Sequence, residues 1–324
     1  MENNMNSSIK NFFINLASGF LIGIAFVVPG FSGSTIAVVI GIYDKMIASV
    51  TGIFKSFKKS FFYLLPIAIG MILAFAALYF PIKLALQYIP FPILCLFVGL
   101  MLGGMPPVME KAKGIPEKKI NLAGNIFTGV LALSLTVGIS FMPSDLLSPS
   151  LGNDMTFAGY ALLFAVGVLA AGALVVPGIS GSMILMIFGY YSPIMHDVIG
   201  SIIKFTNFWH NALVIAVLGV GMIVGFFAIS FLMKYLLKKF PRGTYYAIIG
   251  FVLGSVIAIF YGGAAGKFSV SDGVPLVFDF TPWQIALAVM LFVVGFAGAF
   301  VFYFATKNKA KEKEAAETAE NVSE

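Results

Sequence analysis

The chain has 324 residues, of which 60% are hydrophobic, 15% aromatic and only 10% charged, with a formal net charge of +6. A water-soluble domain carries about a quarter charged residues, and the mean hydropathy here is +0.99; a soluble globular protein is excluded and an all-α polytopic membrane protein is expected. The single cysteine, Cys95, leaves no disulfide framework and no cysteine-based metal site, and in an apolar run it reads as a small buried hydrophobe.

Residues 1–11 carry one basic residue, Lys10, and no small-residue cleavage site follows the first apolar run, so they read as a cytoplasmic N-terminus and not as a cleaved signal. Apolar runs then cover, approximately, 12–28, 31–50, 61–82, 91–104, 121–142, 157–176, 179–195, 211–233, 244–261 and 281–304. A helix needs about 20 residues to cross the hydrocarbon. Six runs read as full crossings, and the two pairs 12–28/31–50 and 157–176/179–195 read as re-entrant or broken hairpins. The organisation expected is a first membrane repeat over 12–142, an outer linker over 143–156, a second membrane repeat over 157–304 and a charged cytoplasmic tail over 305–324. That tail alternates charges and is expected to be solvated and partly disordered.

The repeat rests on a phrase written twice. VVPGFSGS runs from Val27 to Ser34 and VVPGISGS from Val175 to Ser182, agreeing in seven of eight letters at an offset of 148. Gly19 matches Gly167, Gly41 matches Gly189 and Tyr43 matches Tyr191 at the same offset. After a three-residue slip, Gly70-Met71-Ile72 matches Gly221-Met222-Ile223, Lys83 matches Lys234, and Gly99 and Gly103 match Gly250 and Gly254. Each half thus holds a motif-bearing pair of segments followed by three crossings. Three is odd, so the second half must enter the membrane upside down. The basic residues agree: with the N-terminus, the 51–60, 105–120 and 234–243 loops and the tail inside, seventeen lie inside and only Lys83, Lys204 and Lys267 outside. Inverted repeats are a mark of secondary transporters, whose sites lie near the midplane where the repeats meet.

Pro29 and Pro177 cannot continue an arriving helix. Gly30, Gly33, Gly178 and Gly181 permit unusual backbone and close approach; Ser32, Ser34, Ser180 and Ser182 supply hydroxyls. A new apolar helix follows each loop, presenting free amides that suit an anion. Irregular backbone at membrane depth survives only inside protein or beside a polar cavity. The leg after the first motif reaches Asp44 and Lys45 after about 13 apolar residues, too few to span. Small residues also simply allow close packing, and GxxxG at Gly19/Gly23, Gly99/Gly103, Gly221/Gly225 and Gly250/Gly254 is read that way.

Arg242 is the only arginine among twenty basic residues and suits bidentate phosphate recognition, or anchors a cytoplasmic helix end. Lys83 and Lys234, matched but on opposite faces, meet a headgroup in each leaflet or snorkel. His196 and His210 lack ligand companions at metal spacing. Asp44 and Asp197 sit near the hairpin ends, and no carboxylate lies mid-crossing. No His, Asp or Glu stands beside the motif serines to activate a nucleophile, so an enzyme is not expected.

VVPGFSGSTIAVVIGIYD and its echo VVPGISGSMILMIFGYY resemble the polyprenyl-phosphate transporter family of prokaryotes, over roughly residues 12–304. The resemblance implies a flippase in a bacterial or archaeal plasma membrane. It would return undecaprenyl phosphate from the outer to the inner leaflet for reuse in cell-envelope synthesis, without a cofactor. It implies headgroup recognition on Pro29, Gly30, Ser32, Gly33, Ser34 and on Pro177, Gly178, Ser180, Gly181, Ser182. Arg242, Lys83 and Lys234 join that set on their own chemistry. A transporter or channel for a small soluble anion, and a membrane enzyme acting on lipid phosphates, are the competing readings.

Overall fold

The computed structural model describes residues 2–27, 32–114, 122–143, 151–152, 154–191, 193–198, 201–202, 204–264, 278 and 280–323. These form helices α1 (Glu2–Val27), α2 (Gly33–Val39), α3 (Tyr43–Gly52), α4 (Phe57–Tyr88), α5 (Pro90–Gly103), α6 (Pro106–Lys113), α7 (Leu122–Phe141), α8 (Phe157–Val175) and α9 (Gly181–Ile187). After a π-helical turn, Pro193–Val198, follow α10 (Phe208–Lys239), α11 (Pro241–Ala264) and α12 (Pro282–Ser323). No strand occurs among the described residues. The all-α membrane architecture expected from composition is what the chain adopts.

Among the described residues, seven helical stretches are long and apolar enough to cross a bilayer: Phe57–Leu78, Pro90–Lys113, Leu122–Phe141, Phe157–Val175, Phe208–Lys239, Pro241–Tyr261 and Pro282–Val301. Six correspond to the expected crossings. The seventh is α8, the entering leg of the second hairpin, whose 19 residues fill the apolar run 157–176. In the first hairpin α2 and α3 are bent by 119° across their break, too sharply for one continuous span. The tail departs from expectation: α12 continues as helix to Ser323. Its Ala, Lys and Glu are strong helix formers and simply extend a helix already nucleated in the membrane.

Local chemistry sets the helix ends, and it does so twice. Pro90 and Pro241 take the first position of α5 and α11, where a fixed φ helps and the missing N–H costs nothing. The residues before them, Ile89 and Phe240, adopt the same conformation (φ −138°, ψ 53° and φ −130°, ψ 53°) and close the preceding helix with the same 2.8 Å bond. Gly41 and Gly189, at φ 76° and 74°, end α2 and α9 with matching pairs of bonds. Gly41 N donates to Val38 O and Ile42 N to Ala37 O; Gly189 N donates to Met186 O and Tyr190 N to Leu185 O. This is the left-handed helix stop that favours glycine.

Four helix pairs carry the fold: α1 with α4, α8 with α10, α11 with α7 and α5 with α12. All use glycine to bring backbones together. A Cβ on Gly19 would overlap the Ile67 carbonyl and one on Gly70 the Leu16 carbonyl; at the equivalent positions, Gly167 meets Leu218 and Gly221 meets Phe164. Gly99 and Gly103 lie on Phe292 and Phe296, while Gly250 and Gly254 lie on Gly129 and Leu133. Contact positions rise together along both members of every pair, so each pair is parallel. The last two pairs also exchange helices between halves: α5 of the first packs on α12 of the second, and α11 of the second on α7 of the first. Since consecutive crossings alternate in direction, equivalent helices then point oppositely, which is consistent with an inverted repeat.

Leucine at Gly221 would push α8 and α10 apart at a backbone contact, an overpacking cost of about 1–3 kcal/mol. Gly219 has nothing within 4 Å of an added Cβ. Thermal unfolding of the detergent-purified protein should show a clear loss of stability for Gly221→Leu and none for Gly219→Ala.

Candidate functional site

The described serines of the two motif copies are arranged alike. Ser32 and Ser180 stand just before α2 and α9 in extended conformation (φ −109°, ψ 123° and φ −97°, ψ 128°). Neither hydroxyl caps its helix. Instead Ser32 Oγ pairs with Ser34 Oγ at 2.6 Å, and Ser180 Oγ with Ser182 Oγ at 2.8 Å. The first-turn amides therefore keep their positive end unmasked by a side-chain acceptor. Ser32, Ser34 and Ser180 are buried, as are Gly33, Pro177, Gly178 and Gly181; Ser182 is half-buried. Pro29 and Gly30 lie outside the described residues.

The loops touch. Gly178 N donates to Thr35 Oγ1 across the repeat boundary at 2.8 Å, and Tyr43 OH donates to the carbonyl of Val175 at 2.9 Å. Both bonds are buried and join one hairpin to the other. Gly178 needs to be glycine on two counts: its φ is 88°, and a Cβ would overlap the carbonyl of Phe251. Phe251 is the middle residue of the 21-residue apolar stretch Pro241–Tyr261, so the second loop sits halfway along that crossing. The return leg is compact: α9 folds back on α8, with Gly181 against the Ala170 carbonyl and Leu174.

The basic candidates sit on three different helices. Arg242, half-buried, opens α11 nine residues before Phe251, about 13 Å along the helix. Lys234 lies exposed on α10. Lys83 belongs to α4, and its side chain is outside the described residues. Asp44 bridges three elements at the end of the first hairpin, accepting from Lys111 of α6 and, at 2.8 Å, from Tyr245 of α11. Its side chain is 38% exposed and that of Lys111 43%, so the ion pair is worth about 0–1 kcal/mol. On the far side of the hairpins, His210 Nε2 donates to the Leu151 carbonyl at 2.9 Å, which leaves Nδ1 to accept from Tyr160 OH at 3.4 Å. This is a structural tie between α8, α10 and the linker. The side chains of His196 and Asp197 lie outside the described residues.

Thr35 and Tyr43 escaped the sequence reading. Tyr43 counted only as a repeat match. Thr35 did carry a signal: it is the first residue after the motif, and Met183 stands at the equivalent place. A hydroxyl where the copy has a thioether marks a bond made in one direction only.

Thr35→Val should leave the buried Gly178 N–H without an acceptor, at a cost of about 1–3 kcal/mol. Thr35→Ser should keep most of the stability. Thermal unfolding of both variants checks this, and equal stability of Val and wild type would show that the inter-loop bond contributes nothing.

A family model described as undecaprenyl phosphate translocase-like (VCA0040-like) matches residues 22–275. A polyprenyl-phosphate transporter of Staphylococcus aureus (strain NCTC 8325 / PS 47) is 33% identical over 287 residues, covering 87% of this chain and 93% of that protein. A polyprenyl-phosphate transporter of Vibrio cholerae serotype O1 (strain ATCC 39315 / El Tor Inaba N16961) is 27% identical over 325 residues, covering 90% and 96%. No solved structure matches. The match spans both motif copies and the crossings between them, and the chain belongs to the undecaprenyl phosphate translocase-like family.

Proposed function

We propose that the protein transports undecaprenyl phosphate across a prokaryotic plasma membrane, with the paired motif loops as the point where the headgroup crosses. The observation that carries this is the buried junction of the two hairpins at mid-crossing, where Gly178 of the second motif binds Thr35, the residue after the first motif, and Tyr43 binds Val175. A charge at the bilayer centre costs at least about 2.5–3.5 kcal/mol. Unmasked helix-start amides and four hydroxyls lower that cost for a phosphate while the prenyl tail stays in lipid. Each serine pair satisfies itself when the site is empty and turns both hydroxyls to phosphate oxygens when it is filled.

The basic residues act around this centre. Lys83 and Lys234 draw the headgroup from opposite leaflets, and Arg242 receives it about 13 Å from the loops. With the basic loops inside, both termini are cytoplasmic. Transport runs from the outer to the inner leaflet, returning the spent carrier. Catalysis plays no part: each motif serine bonds to another serine and not to a base, which is an arrangement for binding and not for nucleophilic attack.

Reconstituted protein should move labelled undecaprenyl phosphate between leaflets. Ser32→Ala with Ser180→Ala should cut the rate at least tenfold with insertion intact, whereas Cys95→Ala should match wild type. Equal rates in all three would remove the loops from the path. Uptake of a labelled soluble anion, indifferent to added lipid phosphate, would favour an anion transporter instead.

A further inference from the structure

The end of the first hairpin carries a carboxylate oxygen that two donors share. Lys111 Nζ of α6 and Tyr245 OH of α11 both donate to the same atom, Asp44 Oδ2. Two bonds from two elements thus converge on one point. Lys111 also lies over the Tyr245 ring, 5.8 Å from its centroid, and α6 packs against α11. The two donors are therefore held beside each other independently of Asp44, which comes from the first turn of α3. With Tyr43, these side chains line a cavity walled by Pro107 and Val108 of α6. Its free volume is about 10 Å³, room for one water.

The helix stop before α3 does not depend on this carboxylate. The second hairpin makes the matching stop at Gly189, with Ser192 in the place of Asp44. Leu94 and Gly262 stand at the repeat positions of Tyr245 and Lys111, so neither donor recurs. Asp44 does complement the positive end of α3, but that role needs no partner on α6 or α11. With side chains 43% and 38% exposed, the ion pair is weakly held and readily exchanged.

We infer that Lys111 and Tyr245 form a binding site for a phosphate monoester, which the Asp44 carboxylate occupies as an internal anion when no ligand is bound. A phosphate oxygen seated at the Asp44 Oδ2 position accepts from both donors, and a dianion attracts the ammonium more strongly than a carboxylate does. The cavity does not admit a phosphate beside Asp44, so the ester enters as Asp44 withdraws. Withdrawal frees the end of the first hairpin from α6 and α11. The preceding residue, Tyr43, ties that hairpin to Val175 at the second motif, so ligand exchange acts one residue from the junction of the two hairpins. The site deepens the transport reading and rests on it only for the identity of the ester. A lipid headgroup and free phosphate share the recognising chemistry.

Isothermal titration of the full-length protein, in the Ser32→Ala/Ser180→Ala background so that the loops are not read, tests this with geranyl phosphate and with inorganic phosphate at constant ionic strength. Asp44→Asn removes the internal competitor and should lower the Kd at least fivefold. Adding Lys111→Gln should abolish that gain, and adding Tyr245→Phe, which changes no charge, should reverse most of it. Asp44→Ser, the residue of the second hairpin, gives the same reading should the Asn variant fail to fold. Tenfold preference for geranyl phosphate identifies a lipid headgroup; a smaller preference or the reverse identifies free phosphate. No binding of either ligand, a Kd not lowered by removing Asp44, or a gain that survives Lys111→Gln or Tyr245→Phe overturns the site. Transport that survives the serine double variant sinks the loop mechanism alone, because the titration decides this site independently.

Discussion

Hydrocarbon offers no partner to a peptide group, so a chain that interrupts helices at membrane depth must supply the partners itself. Here one interruption serves the other. The Gly178 amide finds Thr35 and the Val175 carbonyl finds Tyr43, each from the opposite half of the chain. Everything around this junction holds it in place. The glycine-lined pairs α1/α4 and α8/α10 fix the entering legs, and Phe251 of α11 sets the depth of the second loop. Each hairpin supplies a partner that the other needs, so the two copies form one junction.

Much of this was legible in the letters because membranes make backbone satisfaction compulsory. A repeated Pro-Gly-x-Ser-Gly-Ser inside apolar runs cannot be accommodated as continuous helix, and the break follows from Pro177 and Gly178 alone. The GxxxG pairs were legible for the same reason that they work: only hydrogen fits where Gly221 meets the Phe164 carbonyl. Less legible were contacts that depend on three-dimensional neighbours. Nothing in the spacing of Thr35 and Gly178, 143 residues apart, announces a bond. The tail misled because alternating charge describes a solvated chain and a solvated helix equally well. The scatter of the basic residues was hidden too: Lys234 shares a repeat position with Lys83, but exposure on α10 is set by which face packs on α8.

Symmetry explains the scaffold, and its failures mark where the two halves differ. The motif serine pairs, helix stops and glycine contacts recur almost without change. The polar trimmings do not recur. Thr35 faces no hydroxyl at Met183, and the Arg242 end of α11 answers to the Phe91 end of α5. A duplicated fold gives two equivalent halves, and single-copy side chains make them differ.

The central claim is that both loops hold one headgroup. Cryo-electron microscopy of the protein in nanodiscs containing undecaprenyl phosphate addresses it directly. The account predicts phosphate density between the loops, within about 3.5 Å of both the Ser32 and Ser180 hydroxyls. Density confined to exposed lysines such as Lys234, with the loops still closed by their serine pairs, would contradict it.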